Sequence, residues 1–257
     1  DDLQKPARYI GGEHFILQKD WDSMIGRAAL CFPDVYEIGM SHLGFKILYE
    51  EVNKHEGLCA ERCFAPWIDM EEKLREKELP LVSLENFKPL KDFDVVGFSL
   101  QYEMSYTNIL NMLDLGGISV WQKDRKEDEP FVIAGGPCAT HPEPIAPFLD
   151  FVLIGDGEKI FSRIVHFIGE ARRAGLKRDH ILFELAKWEG IYVPSFYETE
   201  IDEEEFIIYK GVKVFMCCGT CKKIWKQNPD YFALVGTKQA SQLKAVASKT
   251  IKPMRQL

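Results

Sequence analysis

The sequence lacks a long hydrophobic run. No uninterrupted apolar stretch in its 257 residues approaches the roughly 20 residues that an α-helix needs to span a bilayer. Its start, Asp1–Lys5, also lacks the order of basic and then apolar residues that is typical of a signal peptide. These absences predict a cytoplasmic protein with no membrane partner.

An excess of positive charge is also missing. The 32 lysines and arginines are outnumbered by 40 aspartates and glutamates, which gives a formal net charge of -8. The basic residues are scattered among the acidic ones and form no stripe. Because a surface that follows a phosphate backbone needs clustered basic side chains, direct binding of nucleic acid is disfavoured.

Cysteine is scarce except at one place. Four of the seven cysteines are scattered, whereas Cys217, Cys218 and Cys221 lie within five positions. In a cytoplasmic chain such crowding indicates metal or redox chemistry more than a disulfide framework. Neither a Walker-type phosphate loop nor a nucleophile with a neighbouring base stands out, so we assign no catalytic residues.

Short apolar runs alternate with amphipathic stretches along most of the chain. The predicted strands are Arg27–Phe32, Leu58–Phe64, Asp94–Ser99, Phe131–Ala134 and Phe151–Ile154. The predicted helices are His42–His55, Met70–Lys77, Ser105–Leu115 and Lys159–Ala174. Strands that are apolar throughout and alternate with helices indicate a parallel sheet covered on both faces. The pattern predicts an α/β fold with a doubly wound, flavodoxin-like sheet over residues 25–198, preceded by a lead-in over 1–24.

The amino-acid composition of the sequence changes after this domain. The acidic run Glu198–Glu205 is typical of a linker or a solvated turn. Beyond it, Phe206–Met216 predicts a small hairpin around Lys210 and Gly211, followed by two short helices. Residues 199–257 are therefore predicted to form a linker and a small cysteine-bearing appendage.

Small and polar residues follow four of the predicted strands. The loops are Asp34–Gly39, Ser99–Tyr102, Gly135–Pro137 and Gly155–Glu158. Ligands of open parallel sheets bind beyond the carboxyl ends of the strands, and glycine lets a flat ligand approach the backbone there. We expect these four loops to converge on one binding face. His42, in the first turn of the first helix, is interpreted either as a proton donor at this edge or, preferably, as a surface or capping residue.

Six segments of the chain resemble the N-terminal region of a group of radical S-adenosylmethionine (radical SAM) proteins. They are KPARYIGGE (5–13), FPDVYEIGMSHLG (32–44), FAPW (64–67), VGFSLQYE (96–103), IAGGPC (133–138) and GIYVPSFY (190–197). The resemblance implies a cofactor- or substrate-binding module of an iron–sulfur enzyme system, partnered by a radical SAM catalytic domain or subunit.

In that group the region is similar to cobalamin-binding domains, whose signature is Asp-x-His-x-x-Gly, then Ser-x-Leu, then Gly-Gly. The resemblance implies cofactor-binding roles at Asp34, Tyr36, Gly39, Ser99, Leu100, Gly135 and Gly136, and the loop after the fifth predicted strand adds Gly155 and Gly157. Tyr36 replaces the histidine that would ligate cobalt from below, and a phenol is a poor neutral ligand. The alternatives are a cobalamin held without a protein ligand and a domain that has dropped the cofactor.

Two further features concern the cysteines. The catalytic half of the family uses Cys-x-x-x-Cys-x-x-Cys to hold a four-iron cluster, and that spacing does not occur here, so we expect no iron–sulfur cluster in this chain. The segment around Cys217 resembles half of a YHS or TRASH-type metal-binding module. Cys218 and Cys221 have the spacing that lets two thiolates face one zinc or other soft metal, with Cys217 as a third ligand or a core residue. The rival function is a metal-responsive protein that uses this segment and keeps the α/β domain as scaffold.

Overall fold

The computed structural model describes residues 3–14, 16–201, 206–209, 212–215 and 249–253. The chain divides into two compact units, Asp1–Pro194 and Ser195–Leu257. The first unit contains the main sheet, and the second contains two short antiparallel strand pairs. Within the described residues, none of the helices has both the length and the apolar composition to cross a membrane.

The first unit alternates strands with helices. Its strands are β1 (Gly26–Phe32), β2 (Leu58–Phe64), β3 (Val95–Ser99), β4 (Phe131–Gly135), β5 (Phe151–Leu153) and β6 (Ile191–Tyr192). Its helices are α1 (Tyr36–Ser41), α2 (Leu43–Asn53), α3 (Ile68–Glu76), α4 (Tyr106–Leu115), α5 (Glu158–Arg173) and α6 (Arg178–Leu185). The sheet order is β2-β1-β3-β4-β5-β6, parallel except for β6, which pairs antiparallel with β5. The predicted α/β, doubly wound fold class is confirmed.

Helices cover the sheet on both faces. Helix α2 packs against α5, and α3 packs against α4. Because β2 and β3 lie on opposite sides of β1, the chain reverses its winding there and the helices that follow β1 and β3 diverge. The carboxyl edge of the sheet beside β1 and β3 is therefore the place where the fold leaves a crevice.

The structure differs from the predicted elements around the first helix. The segment predicted as a loop after β1 contains the short helix α1. Helical spacing in α2 is as expected, but Leu43 is 70% exposed, whereas Phe45, Tyr49 and Val52 are buried. The spacing of apolar residues in the sequence indicates only that one face of the helix is apolar. Contact with the sheet decides which of these residues are buried.

The second unit is described only in part. Strand β7 (Tyr197–Ile201) pairs with β10 (Lys249–Pro253), and β8 (Phe206–Tyr209) pairs with β9 (Val212–Phe215). The predicted hairpin strands are thus present. Its turn, the two predicted helices and all three clustered cysteines lie outside the described residues.

A buried ion cluster holds the amino-terminal edge of the sheet. The fully buried Asp150 carboxylate accepts hydrogen bonds from Arg125 at 2.8 Å, from Arg178 at 2.6 Å and from the backbone N–H of Val132 at 2.7 Å. The Arg178 guanidinium also lies over the Phe131 ring at 4.2 Å. The carboxylate thereby ties α6, the loop before β4 and the start of β5 together.

We predict that Asp150→Ala lowers the free energy of unfolding by about 3–5 kcal/mol, because two buried guanidinium groups lose their counter-charge. Urea denaturation followed by circular dichroism measures the change. Glu184→Ala serves as the control, since Glu184 pairs with Lys187 in an exposed ion pair and its removal is expected to leave the midpoint unchanged. A loss below about 1 kcal/mol for Asp150→Ala would contradict this account.

Candidate functional site

A cleft of about 510 Å³ opens at the carboxyl ends of β3, β4 and β5, on the face covered by α2 and α5. Its lining from the strands and their loops is Leu30, Gly97, Phe98, Ser99, Gln101, Ile133, Ala134, Gly135, Gly136, Pro137, Thr140, Leu153, Gly155, Asp156 and Gly157. Its lining from the helices is His42, Gly44, Phe45, Leu48, Glu158 and Phe161, where His42 is the residue immediately before α2.

Glycines give the cleft its depth. Gly97 lies within β3, where an added Cβ would meet the Phe161 ring of α5 at 3.4 Å. Gly136 has φ of 113°, a conformation that side chains strongly disfavour, and an added Cβ would lie 2.9 Å from the Leu100 carbonyl oxygen. The loops after β3 and β4 are joined by backbone hydrogen bonds, from Leu100 N–H to Gly135 at 2.7 Å and from Cys138 N–H to Leu100 at 3.1 Å. The rim is therefore a rigid, backbone-lined surface.

The polar groups of the cleft are neutral or acidic. Among its lining residues, all within the described part of the chain, none is lysine or arginine, and Asp156 and Glu158 supply the carboxylates. Gln101 donates from Nε2 to the Ser99 hydroxyl at 2.7 Å. Because the acidic side chains of the lining are carboxylates with no lysine or arginine beside them, neutral or cationic groups of a ligand are favoured close to Asp156 and Glu158.

Comparison with known proteins identifies the family at this point. The family model described as radical SAM proteins, N-terminal, matches residues 44–194, which include most of the cleft lining. The chain belongs to this family. It is also similar to the uncharacterized protein MJ0966 of Methanocaldococcus jannaschii, with 25% identity over 148 residues, 56% of this chain and 27% of the relative. The match thus spans about a quarter of the length of that relative.

The radical SAM N-terminal domain brings five of the predicted cofactor-binding residues together. Ser99, Gly135, Gly136, Gly155 and Gly157 all line the cleft, as their places after β3, β4 and β5 require. These residues come from three separate loops, and the parallel arrangement of the strands sets their ends side by side.

The other four predicted residues do not line the cleft. Leu100 is fully buried and belongs to the core cluster on the opposite face. Gly39 lies against aromatic rings, and an added Cβ there would lie within 2.3 Å of Phe64. Asp34 accepts a hydrogen bond from the Tyr102 hydroxyl, which ties the loop after β1 to the loop after β3.

Tyr36, which the predicted signature aligns with a cobalt-ligating histidine, is held in a contact with the N-terminal lead-in. Its hydroxyl donates to Glu13 at 2.8 Å, and its ring packs edge-on against Phe64. Glu13 in turn pairs with Arg62 at 3.0 Å, and Arg62 pairs with the buried Glu85 at 2.6 Å. Burial and the hydrogen bond to Glu13 raise the pKa of Tyr36 to about 12, so the phenol stays protonated at neutral pH. It therefore acts as an anchor for the N-terminal lead-in.

Sequence reasoning missed part of the cleft. Phe45 and Leu48 of α2 and Phe161 of α5 line it from the helices, where the pattern of strand-end loops gives no signal. His42, considered in the sequence analysis as a proton donor at this edge or a cap, also lines it. Asp156 and Glu158 belong to a loop that was singled out, but the glycines of that loop alone were assigned. The signal in the sequence that could have identified Asp156 and Glu158 is the presence of carboxylates beside the glycines of a strand-end loop.

The metal prediction involves another part of the chain. Within the residues that the structure describes, no group of three or more histidine, cysteine, aspartate or glutamate side chains is placed to hold a metal ion. Cys217, Cys218 and Cys221 lie outside those residues, so zinc or another soft metal at Cys218 and Cys221 stays a prediction.

Neighbouring glycines of the rim give a matched stability test. We predict that Gly136→Ala lowers the free energy of unfolding by about 1–3 kcal/mol, because the side chain is forced into a disfavoured conformation and against Leu100. Gly135→Ala is expected to change it by less than about 0.5 kcal/mol, since the added Cβ would meet its nearest atom at 3.5 Å. Equal losses in thermal or urea denaturation would argue against this rim geometry.

We predict that Tyr36→Phe costs about 1 kcal/mol at neutral pH, because the hydrogen bond to Glu13 is lost. The folded pKa of Tyr36 is raised above the ordinary value of 10.0, so this contribution is complete below pH 10 and disappears as the pH rises through about 12. Urea unfolding of both proteins at about pH 8 and about pH 12 measures the difference. The control is Tyr106→Phe, whose buried hydroxyl has no hydrogen-bond partner in the described structure. A pH-independent difference for Tyr36→Phe would rule the assignment out.

Proposed function

We propose that the chain is the cofactor- or substrate-binding N-terminal module of a radical SAM enzyme system, and that the cleft at the strand ends holds its ligand. The observation that carries the proposal is the glycine-rimmed cavity of about 510 Å³ at the carboxyl edge of the sheet, in a chain that belongs to this family. Its volume falls within the range of roughly 300–1,000 Å³ that is usual for small-molecule sites.

The proposed partner is a radical SAM catalytic domain or subunit that carries the iron–sulfur cluster. Family membership supports this pairing, because the family is defined as the N-terminal part of radical SAM proteins. The described residues of the chain offer a binding surface, and no set of groups among them suggests acid–base or nucleophilic catalysis. We therefore assign chemistry to the partner and binding to this module.

Cobalamin is the ligand that we propose to test. Ser99, Gly135 and Gly136, the signature positions that line the cleft, present small groups to a bulky planar molecule, and the apolar lining suits its uncharged parts. Tyr36 does not line the cleft and stays protonated, so no protein ligand to cobalt is proposed. When bound, a corrinoid supplies radical or group-transfer chemistry, and this chain binds and orients it.

The test is retention of hydroxocobalamin by the purified chain after gel filtration, read from the corrinoid absorbance. We expect wild-type protein to retain it and Gly135→Val to bind at least tenfold more weakly, which corresponds to about 1.4 kcal/mol. The valine side chain would project into the cleft without backbone strain, since Gly135 is not among the positions with positive φ.

Ala174→Val is the matched control, because Ala174 is exposed at the end of α5 and lies outside the cleft. It is expected to bind hydroxocobalamin as wild type does. Failure of the wild-type protein to retain the corrinoid, or equal retention by Gly135→Val, would count against cobalamin in this cleft.

A further inference from the structure

We infer that His42 is a specificity-determining residue of the cleft, which donates a hydrogen bond from Nε2 to an acceptor atom of the bound molecule. The inference rests on the proposed function, because it assigns a role within the same cleft. It concerns a residue outside the predicted cofactor-binding set, and it follows from the way in which helix α2 begins.

One ring nitrogen of His42 is committed to the backbone. His42 is the N-cap of α2, and its Nδ1 accepts the backbone N–H of Phe45 at 3.2 Å. A neutral imidazole carries its single proton on the nitrogen that does not accept, so Nε2 is the protonated atom. The capping role expected from sequence is thus confirmed, and the same hydrogen bond sets the tautomer.

The ring is held in place at the wall of the cleft. It packs against Phe32, with the ring centroids 5.4 Å apart. On another side lies Gly44, where an added Cβ would come within 3.2 Å of the imidazole Cε1, so glycine leaves room for the ring. No described residue forms a hydrogen bond with Nε2, and the side chain is partly exposed and lines the cavity. The free donor is therefore positioned before a ligand arrives.

The other polar groups around the cleft define what this donor selects. The cleft is also lined by Asp156 and Glu158, whose carboxylates accept hydrogen bonds, and the amide nitrogen of Gln101 is already bonded to Ser99. A ligand that satisfies these groups carries a carbonyl oxygen or ring nitrogen for His42 and amide, amine or hydroxyl donors for the carboxylates.

The same geometry argues against His42 as a replacement cobalt ligand. Coordination through Nε2 needs that nitrogen unprotonated, which would place the proton on Nδ1 and break the cap on Phe45. A corrinoid in this cleft is therefore expected to show no imidazole from the protein at cobalt.

Two substitutions separate the cap from the donor. His42→Asn keeps a side-chain acceptor suited to an N-cap but removes the imidazole, whereas His42→Ala removes both functions. We expect His42→Asn to melt close to wild type and His42→Ala to melt several degrees lower. Both are expected to bind hydroxocobalamin about tenfold more weakly than wild type, the loss that corresponds to one hydrogen bond. His180→Asn, at an exposed position in α6, is the control.

A second measurement needs no ligand. In ¹⁵N-labelled wild-type protein, the nitrogen shifts of the His42 ring are expected to show an accepting Nδ1 and a protonated Nε2. The Nδ1-protonated tautomer, or wild-type affinity of His42→Asn for hydroxocobalamin, would overturn the inference and leave the proposed function standing. Failure of wild-type protein to bind hydroxocobalamin would instead count against cobalamin as the ligand of the proposed function, and it would overturn the donor role of His42 toward that ligand.

Discussion

The architecture depends on the reversal of winding at β1. A parallel sheet must be covered on both faces, and the chain achieves this by placing β2 on one side of β1 and β3 on the other. The helices that follow are thereby separated, α2 and α5 on one face and α3 and α4 on the other. The crevice at the strand ends is a geometric consequence of this reversal and needs no special residue to open it. Glycines at the ends of β4 and β5 then keep it from being filled.

The first loop has a different role from the later ones. One of its signature positions, Tyr36, is engaged by the N-terminal lead-in, in which Glu13 contacts both Tyr36 and Arg62. Arg62 is nearly buried, and two carboxylates offset the cost of removing its charge from water. Tyr36 thus contributes to holding the N-terminal lead-in at the β2 side of the sheet.

The cleft and the amino-terminal edge of the sheet contrast in their electrostatics. At the amino-terminal edge, guanidinium groups and carboxylates are buried together around Asp150 and satisfy one another. At the cleft, the charged side chains are exposed carboxylates without a basic partner in the lining. The first arrangement stabilises the fold, and the second leaves acceptor capacity for a ligand, which is the pattern expected where binding specificity outweighs stability.

From the sequence alone, the five parallel strands, four of the six helices, the fold class and the glycine loops at the ends of β3, β4 and β5 were predictable, because apolar periodicity and glycine placement are local properties of the chain. The short elements β6, β7 and α1 and the helix α6 were not predicted. The tertiary structure alone decided which of those loops share one cavity, which side of α2 turns inward and where Tyr36 and Leu100 point. These outcomes depend on contacts between segments far apart in the chain, such as Glu13 with Arg62 and Leu100 with Gly135. His42 illustrates both the local and the tertiary contribution. Its place before a helix marks it as a cap, which is a local property of the sequence. Only the packing of α2 beside the strand ends places its ring at the cleft, where the second nitrogen is a candidate donor to a ligand.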